Sequence, residues 1–267
     1  MTRPGEQETL IQQVAATGKP VIVVTVHGGI LSMDWTAGNV RTIVDALYPG
    51  EMGGDAVVSV LFGDVSPSGR TVTTWYPSAY QTARPLVTDM ALAPHDDVPG
   101  ITYLYYDGPV LWPFGWGLSY TTFRFDWAAG EGALSVDTVA FGTGAAAPPS
   151  FLVNVTNTGM VTSDVSVLAF FSAETPGEPL QELFDFQRTA GLAPGEMRTL
   201  RFSLPPAVAA CVTSDGTQVV RAGTYAVRIG DTVATGNFVK TAVHLSGPDH
   251  ELFSMPRIRQ RYAAKHA

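Results

Sequence analysis

The sequence is poor in cysteine, in basic charge and in long apolar runs, and each shortage excludes a class of protein. Cys211 is the only cysteine among 267 residues, so no intrachain disulfide and no cysteine-based metal cluster can form. Its Ala-Ala-Cys-Val context is that of a packed structural thiol rather than a nucleophile. Lys and Arg number 16 against 24 Asp and Glu, a net charge of -8 that repels nucleic acid and anionic membranes. The one basic concentration, Arg257, Arg259, Arg261 and Lys265, reads as a solvated tail. No apolar stretch approaches the ~20 residues needed to cross a bilayer, and the first residues lack the pattern of a signal peptide. A chain starting at Met1 would stay in the cytoplasm. A piece of a longer secreted enzyme would be extracellular, lysosomal or vacuolar.

Hydrophobic residues at 45% and charged residues at 15% describe a chain that folds, with a length that suggests two domains. Residues 9–16 place Leu10, Ile11, Val14 and Ala15 on one helical face, closed by Gly18 and Pro20. Residues 21–26 are a β-branched run without polar alternation, the pattern of a parallel strand buried on both faces. A second strand is expected over 42–47 and a helix over 53–62, after Pro49-Gly50. Strand, turn and helix in this order imply a right-handed βαβ arrangement, with ligand-binding loops at the carboxyl ends of its strands. Those loops carry Gly28-Gly29 and Pro49-Gly50-Glu51.

Residues 75–123 interleave aromatics with Pro and Gly, which suggests a wrapping segment rather than helices. The small-residue stretch 128–150 reads as a linker. Beyond it, Phe151/Val153/Val155, Val165/Val167/Ala169/Phe171, Leu200/Phe202/Leu204 and Tyr225/Val227/Ile229 alternate with period two. Turn residues separate them, so an antiparallel immunoglobulin-like sandwich is expected over 151–245, with a tail over 246–267. The expected fold class is therefore a partial α/β sandwich with a mainly parallel sheet over 1–127, followed by an all-β sandwich.

Motifs then occur in a telling order. Tyr48-Pro-Gly-Glu-Met-Gly-Gly-Asp-Ala56 precedes Leu61-Phe-Gly-Asp-Val-Ser-Pro-Ser-Gly-Arg70, Thr74-Trp-Tyr-Pro77 and Pro99-Gly-Ile-Thr-Tyr103. Trp112-Pro-Phe-Gly-Trp-Gly-Leu-Ser-Tyr-Thr-Thr-Phe123 follows. This series resembles the C-terminal part of family 3 glycoside hydrolases of the β-glucosidase and β-xylosidase type. Val153-Asn-Val-Thr-Asn-Thr-Gly159, Ala193-Pro-Gly-Glu196 and Ala222-Gly-Thr-Tyr-Ala-Val227 resemble the fibronectin type III-like domain that follows in many members. Gly69-Arg-Thr-Val72 and Gly28-Gly-Ile30 depart from the family's usual Gly-Arg-Leu-Pro and Gly-Pro.

The resemblance implies a retaining β-glycosidase without cofactor or metal. Such chemistry needs a nucleophilic carboxylate and an acid/base carboxyl about 5–5.5 Å apart. In the family these come from a (β/α)8 barrel and from an upstream loop of the α/β domain. Neither maps onto these residues, so the chain is expected to be inactive alone, whether as a truncated paralogue or as a piece of a longer enzyme.

Local carboxylates are weak substitutes. Glu51 and Asp55 sit where a helix dipole favours ionisation. His95-Asp-Asp97 lacks metal-ligand spacing, and Ser32, Asp34 and His27 lie too close together for a triad. The substrate-contact candidates are His27, at the mouth of the sheet, Glu51, and two of the aromatics, Tyr103 and Trp112, whose rings could equally fill a core. The implied partners are a β-linked oligosaccharide or a separate barrel-bearing chain. Loss of the barrel would bare an apolar face and favour self-association. The alternative reading is a non-catalytic carbohydrate-binding or protein-interaction module.

Overall fold

A computed structural model describes residues 5–84, 89–128, 133–213 and 215–254. The basic tail lies outside these residues. The first half holds α1 (Gln7–Ala15), β1 (Ile22–Thr25), α2 (Asp34–Asn39), β2 (Thr42–Asp45) and α3 (Gly53–Phe62). Strands β1 and β2 pair in parallel, Ile22 opposite Thr42 and Thr25 opposite Asp45. Helix α3 spans the expected residues and ends on Gly63, whose φ of 84° is the left-handed cap that glycine adopts without strain.

The apolar run of β1 is not buried on both faces. Val23 and His27 are 8% and 7% exposed, but Ile22, Val24 and Val26 on the opposite face are 49%, 41% and 61% exposed. The two-stranded sheet has a packing layer on one side only among the described residues. The continuous β-branched composition therefore leaves one face of the strand exposed among the described residues.

Two short helices, α4 (Ser78–Ala83) and α5 (Thr102–Tyr105), interrupt the wrapping segment. The segment folds back on itself: Trp75 N–H donates to the Trp112 carbonyl at 2.8 Å, and Thr71 N–H to the Trp116 carbonyl at 2.7 Å. Arg84, almost fully buried, ties its loop to the Pro99 carbonyl at 2.5 Å, to the Ala91 carbonyl and to Asp89.

The sandwich comprises β3 (Phe123–Trp127), β4 (Leu134–Asp137), α6 (Thr138–Gly142), β5 (Ser150–Asn157), β6 (Ser163–Ser172), β7 (Glu182–Leu192), β8 (Met197–Ser203), β9 (Ala210–Val212), β10 (Gln218–Val220), β11 (Gly223–Gly230), β12 (Phe238–Ser246) and β13 (His250–Phe253). A five-stranded sheet β4-β12-β11-β6-β7 faces β3-β5-β8, with a small sheet β13-β10-β9 beside them. The four alternating segments supply the core, including Phe151, Val153, Val165, Val167, Phe202 and Ile229.

The sandwich extends beyond the span expected for it. Strand β3 pairs with β5 and buries Phe125, inside the segment assigned to the first domain. The expected linker contributes β4, which pairs in parallel with β12, and the fully buried Phe141 of α6. Within the expected tail, β13 pairs with β10. In each case one or two apolar side chains per turn suffice for docking on an existing sheet, too few to stand out against Gly and Ala. Tyr225 donates its hydroxyl to the Arg221 carbonyl at 2.9 Å, anchoring the entry of β11.

The two halves meet through polar ties. Arg70 Nε lies 3.8 Å from the Asp231 carboxylate, and Thr232 donates to the Phe114 carbonyl at 2.9 Å. Burial pushes the Asp231 carboxyl above its ordinary range, against the opposing pull of Arg70.

Candidate functional site

The carboxyl ends of β1 and β2 bring a histidine and an aspartate together. His27 follows β1 and is held by its backbone N–H on the Leu47 carbonyl at 3.1 Å. Asp45 ends β2. His27 Nε2–H donates to Asp45 Oδ1 at 2.6 Å, and Thr25 Oγ1 donates to the same oxygen at 2.9 Å. The carboxylate therefore fixes the proton on Nε2 and leaves Nδ1 as the acceptor in the neutral ring. Nδ1 is buried and has no partner.

Aromatic rings continue the cluster. The edge of Trp75 meets the His27 ring at a centroid distance of 5.5 Å, and Trp75 meets Trp112 at the same distance, both near perpendicular. Gly28 and Tyr48 close the other side, where a Cβ on Gly28 would collide with the Tyr48 ring. A side chain at position 28 would have to displace the exposed Tyr48 ring.

The four candidates are thus divided. His27 and Trp112 belong to one cluster bridged by Trp75. Glu51 is exposed on the turn before α3 and makes no ion pair among the described residues. Tyr103 lies in a different place, stacked on Phe114 at 4.2 Å and edge-on to Phe170 at 6.0 Å, and fastens α5 to the sandwich. Asp45 escaped the sequence reading, although a lone acid near the end of an apolar strand was the available signal.

Asp34 and Ser32 bond to each other at 3.1 Å, while His27 turns to Asp45 instead, so no Ser-His-Asp relay forms. Both oxygens of Asp34 accept the Ser78 N–H, at 3.0 and 3.1 Å. Burial opposes its ionisation, but this N–H and the Ser32 hydroxyl outweigh it and hold the carboxyl below its ordinary range. His95 lies 3.4 Å from Asp89, and among the described residues no three His, Cys, Asp or Glu side chains are grouped to hold a metal ion. Among the described residues the site shows no pair of facing carboxyls.

Comparison with known proteins bears on the family and the fold. Residues 1–120 match the family model of the glycosyl hydrolase family 3 C-terminal domain, and residues 166–233 match that of the fibronectin type III-like domain. The chain is 38% identical over 245 residues to the exo-1,4-beta-xylosidase bxlB of Emericella nidulans, covering 88% of this chain and 32% of that protein. It is 36% identical over 270 residues to the probable exo-1,4-beta-xylosidase bxlB of Aspergillus flavus, covering 96% and 34%. A solved GH3 exo-beta-xylosidase, XlnD, in complex with a xylobiose aziridine activity-based probe superimposes with a TM-score of 0.87 at 30% identity, again over 96% of this chain and 34% of its own. A Bifidobacterium adolescentis GH3 beta-glucosidase gives 0.72 at 27% identity, over 91% and 35%. The chain thus spans about a third of the length of the relatives it matches.

Proposed function

Because the chain belongs to glycoside hydrolase family 3, as its C-terminal α/β and fibronectin type III-like part, we propose that it serves the hydrolysis of β-xylosidic bonds at the ends of xylo-oligosaccharides. The observation that carries this reading is the 0.87 superposition on an exo-xylosidase complexed with a xylobiose-derived probe. In a retaining mechanism the barrel would supply the nucleophile, and a second carboxyl would protonate the leaving oxygen and then deprotonate water. The residues of this chain would contribute binding rather than chemistry. His27, aligned by Asp45, and Trp112 would form one edge of the pocket, with Glu51 on the adjacent turn. Tyr103 would act at a distance by fastening the wrapping segment.

The same reading assigns a cover to the outward face of β1: a barrel-bearing segment or chain. Its test is reconstitution. The chain alone should release no nitrophenol from aryl β-xylosides or β-glucosides above the buffer blank. Addition of the N-terminal two-thirds of a family 3 xylosidase should restore turnover, which His27→Phe and Trp112→Ala should lower. Turnover by the chain alone that Glu51→Gln abolishes would overturn the reading in favour of local acids.

A further inference from the structure

A second concavity lies in the sandwich, a cleft of about 240 Å³ between the end of β6, the loop after it, β9 and the start of β11. None of the residues clustered around His27 lines it. Its floor is apolar, formed by Phe171, Ala209 and Ala210, and its walls carry Glu178, Glu182 and Arg221. Arg221 Nη1 donates to Glu178 Oε1 at 3.0 Å, so these two charges offset one another.

Glu182 has no such partner among the described residues. It is partly buried, and burial pushes its carboxyl above the ordinary range. Of the hydroxyls lining the cleft, that of Tyr225 donates to the Arg221 carbonyl at 2.9 Å and that of Ser172 to the Leu180 carbonyl at 2.8 Å. A carboxylate on the wall of a cleft, without a hydrogen-bond donor from the protein, can accept from the hydroxyl of a bound molecule.

The lining selects the chemistry of that donor. An anion would face the excess carboxylate, and a metal ion would find no group of three ligating side chains among the described residues. A neutral sugar ring suits both features, since its hydroxyls donate to Glu182 and accept from the guanidinium while its C–H face rests on the apolar floor. The volume is below the ~300 Å³ at which drug-sized pockets begin, which limits the occupant to one ring.

We propose that this cleft is a non-catalytic site for one neutral pyranose unit, the terminal residue of a β-linked oligosaccharide, held by Glu182 and Arg221. It needs no barrel, so it stands or falls separately from the catalytic reading.

The test is titration of the whole chain with xylose and with xylobiose, followed by calorimetry and by NMR. Saturable millimolar binding is expected, weakened about tenfold or more by Glu182→Ala and less by Glu182→Gln. Thermal melts of both Glu182 variants check that the fold is kept. Absence of saturation by roughly 50 mM sugar, or unchanged affinity in both Glu182 variants, would overturn the proposal. Failure of reconstituted turnover would leave it standing.

Discussion

At the scale of single residues, the His27–Asp45 pair sets the character of the candidate site. The buried imidazole makes one strong contact through Nε2 and leaves Nδ1 empty, so the ring is held for orientation at the expense of a lost hydrogen bond. His27→Phe keeps a ring against Trp75 but strips Asp45 of its closest donor. Urea unfolding should show a loss of about 1–3 kcal/mol, and less for Asp45→Asn, which retains an acceptor. Asp34 offers a pH test. Its carboxyl is held low in the folded state by the Ser78 N–H and the Ser32 hydroxyl against the opposing effect of burial. Its contribution to stability is therefore complete above the unfolded pKa of about 3.9 and is lost as pH falls below it through the folded value. Asp34→Asn should flatten the acid limb of the stability profile below pH of about 4 and lower the stability at neutral pH. An acid limb identical to that of the parent would show that the bond from the Ser78 N–H to Asp34 adds nothing to folding stability.

At the scale of elements, the sandwich depends on how β3, β5 and the following turn are stitched together. Asn157, fully buried at the end of β5, accepts from the Thr121 hydroxyl at 2.6 Å and from the Gly159 N–H at 3.1 Å, and donates to the Val161 and Leu192 carbonyls at 2.9 and 2.8 Å. Every capacity of the amide is used, across three separate segments. Asn157→Ala should strand these groups and cost about 2–4 kcal/mol, comparable to the about 3–5 kcal/mol expected for Phe151→Ala in the core. Chemical denaturation of the two variants side by side tests that ranking. The same elements show what was legible beforehand. The strands with strict alternation, such as Phe151/Val153/Val155, could be read because one buried face imposes a period of two. Strands β4 and β13 could not, because each docks a few side chains on a sheet edge supplied from far along the chain. At the site, His27 was legible from its place after an apolar strand, whereas its partnership with Asp45 depends on a parallel register that no local pattern encodes.

At the scale of the molecule, the two halves differ in how completely they bury their apolar surface. The sandwich encloses Phe141, Phe151, Val153 and Phe202 entirely, whereas the first half leaves Leu10, Tyr48, Met52 and Phe62 exposed beside Ile22, Val24 and Val26. Single exposed apolar residues are ordinary, and the first half shows more of them among the described residues than the sandwich does. The parallel pair β1–β2 also has open hydrogen-bonding edges among the described residues, a template for further pairing. The proposed cover of that face by a barrel-bearing partner therefore has a consequence for the chain by itself. At tens of micromolar, light scattering should report concentration-dependent association, and the double substitution Ile22→Lys with Val24→Lys should return it to a monomer without lowering the unfolding transition of the sandwich. Mixing with a barrel-bearing partner should suppress association in the parent chain, because partner and copy compete for one surface. A parent chain that stays monomeric at these concentrations would mean that the outward face of β1 tolerates water and needs no cover.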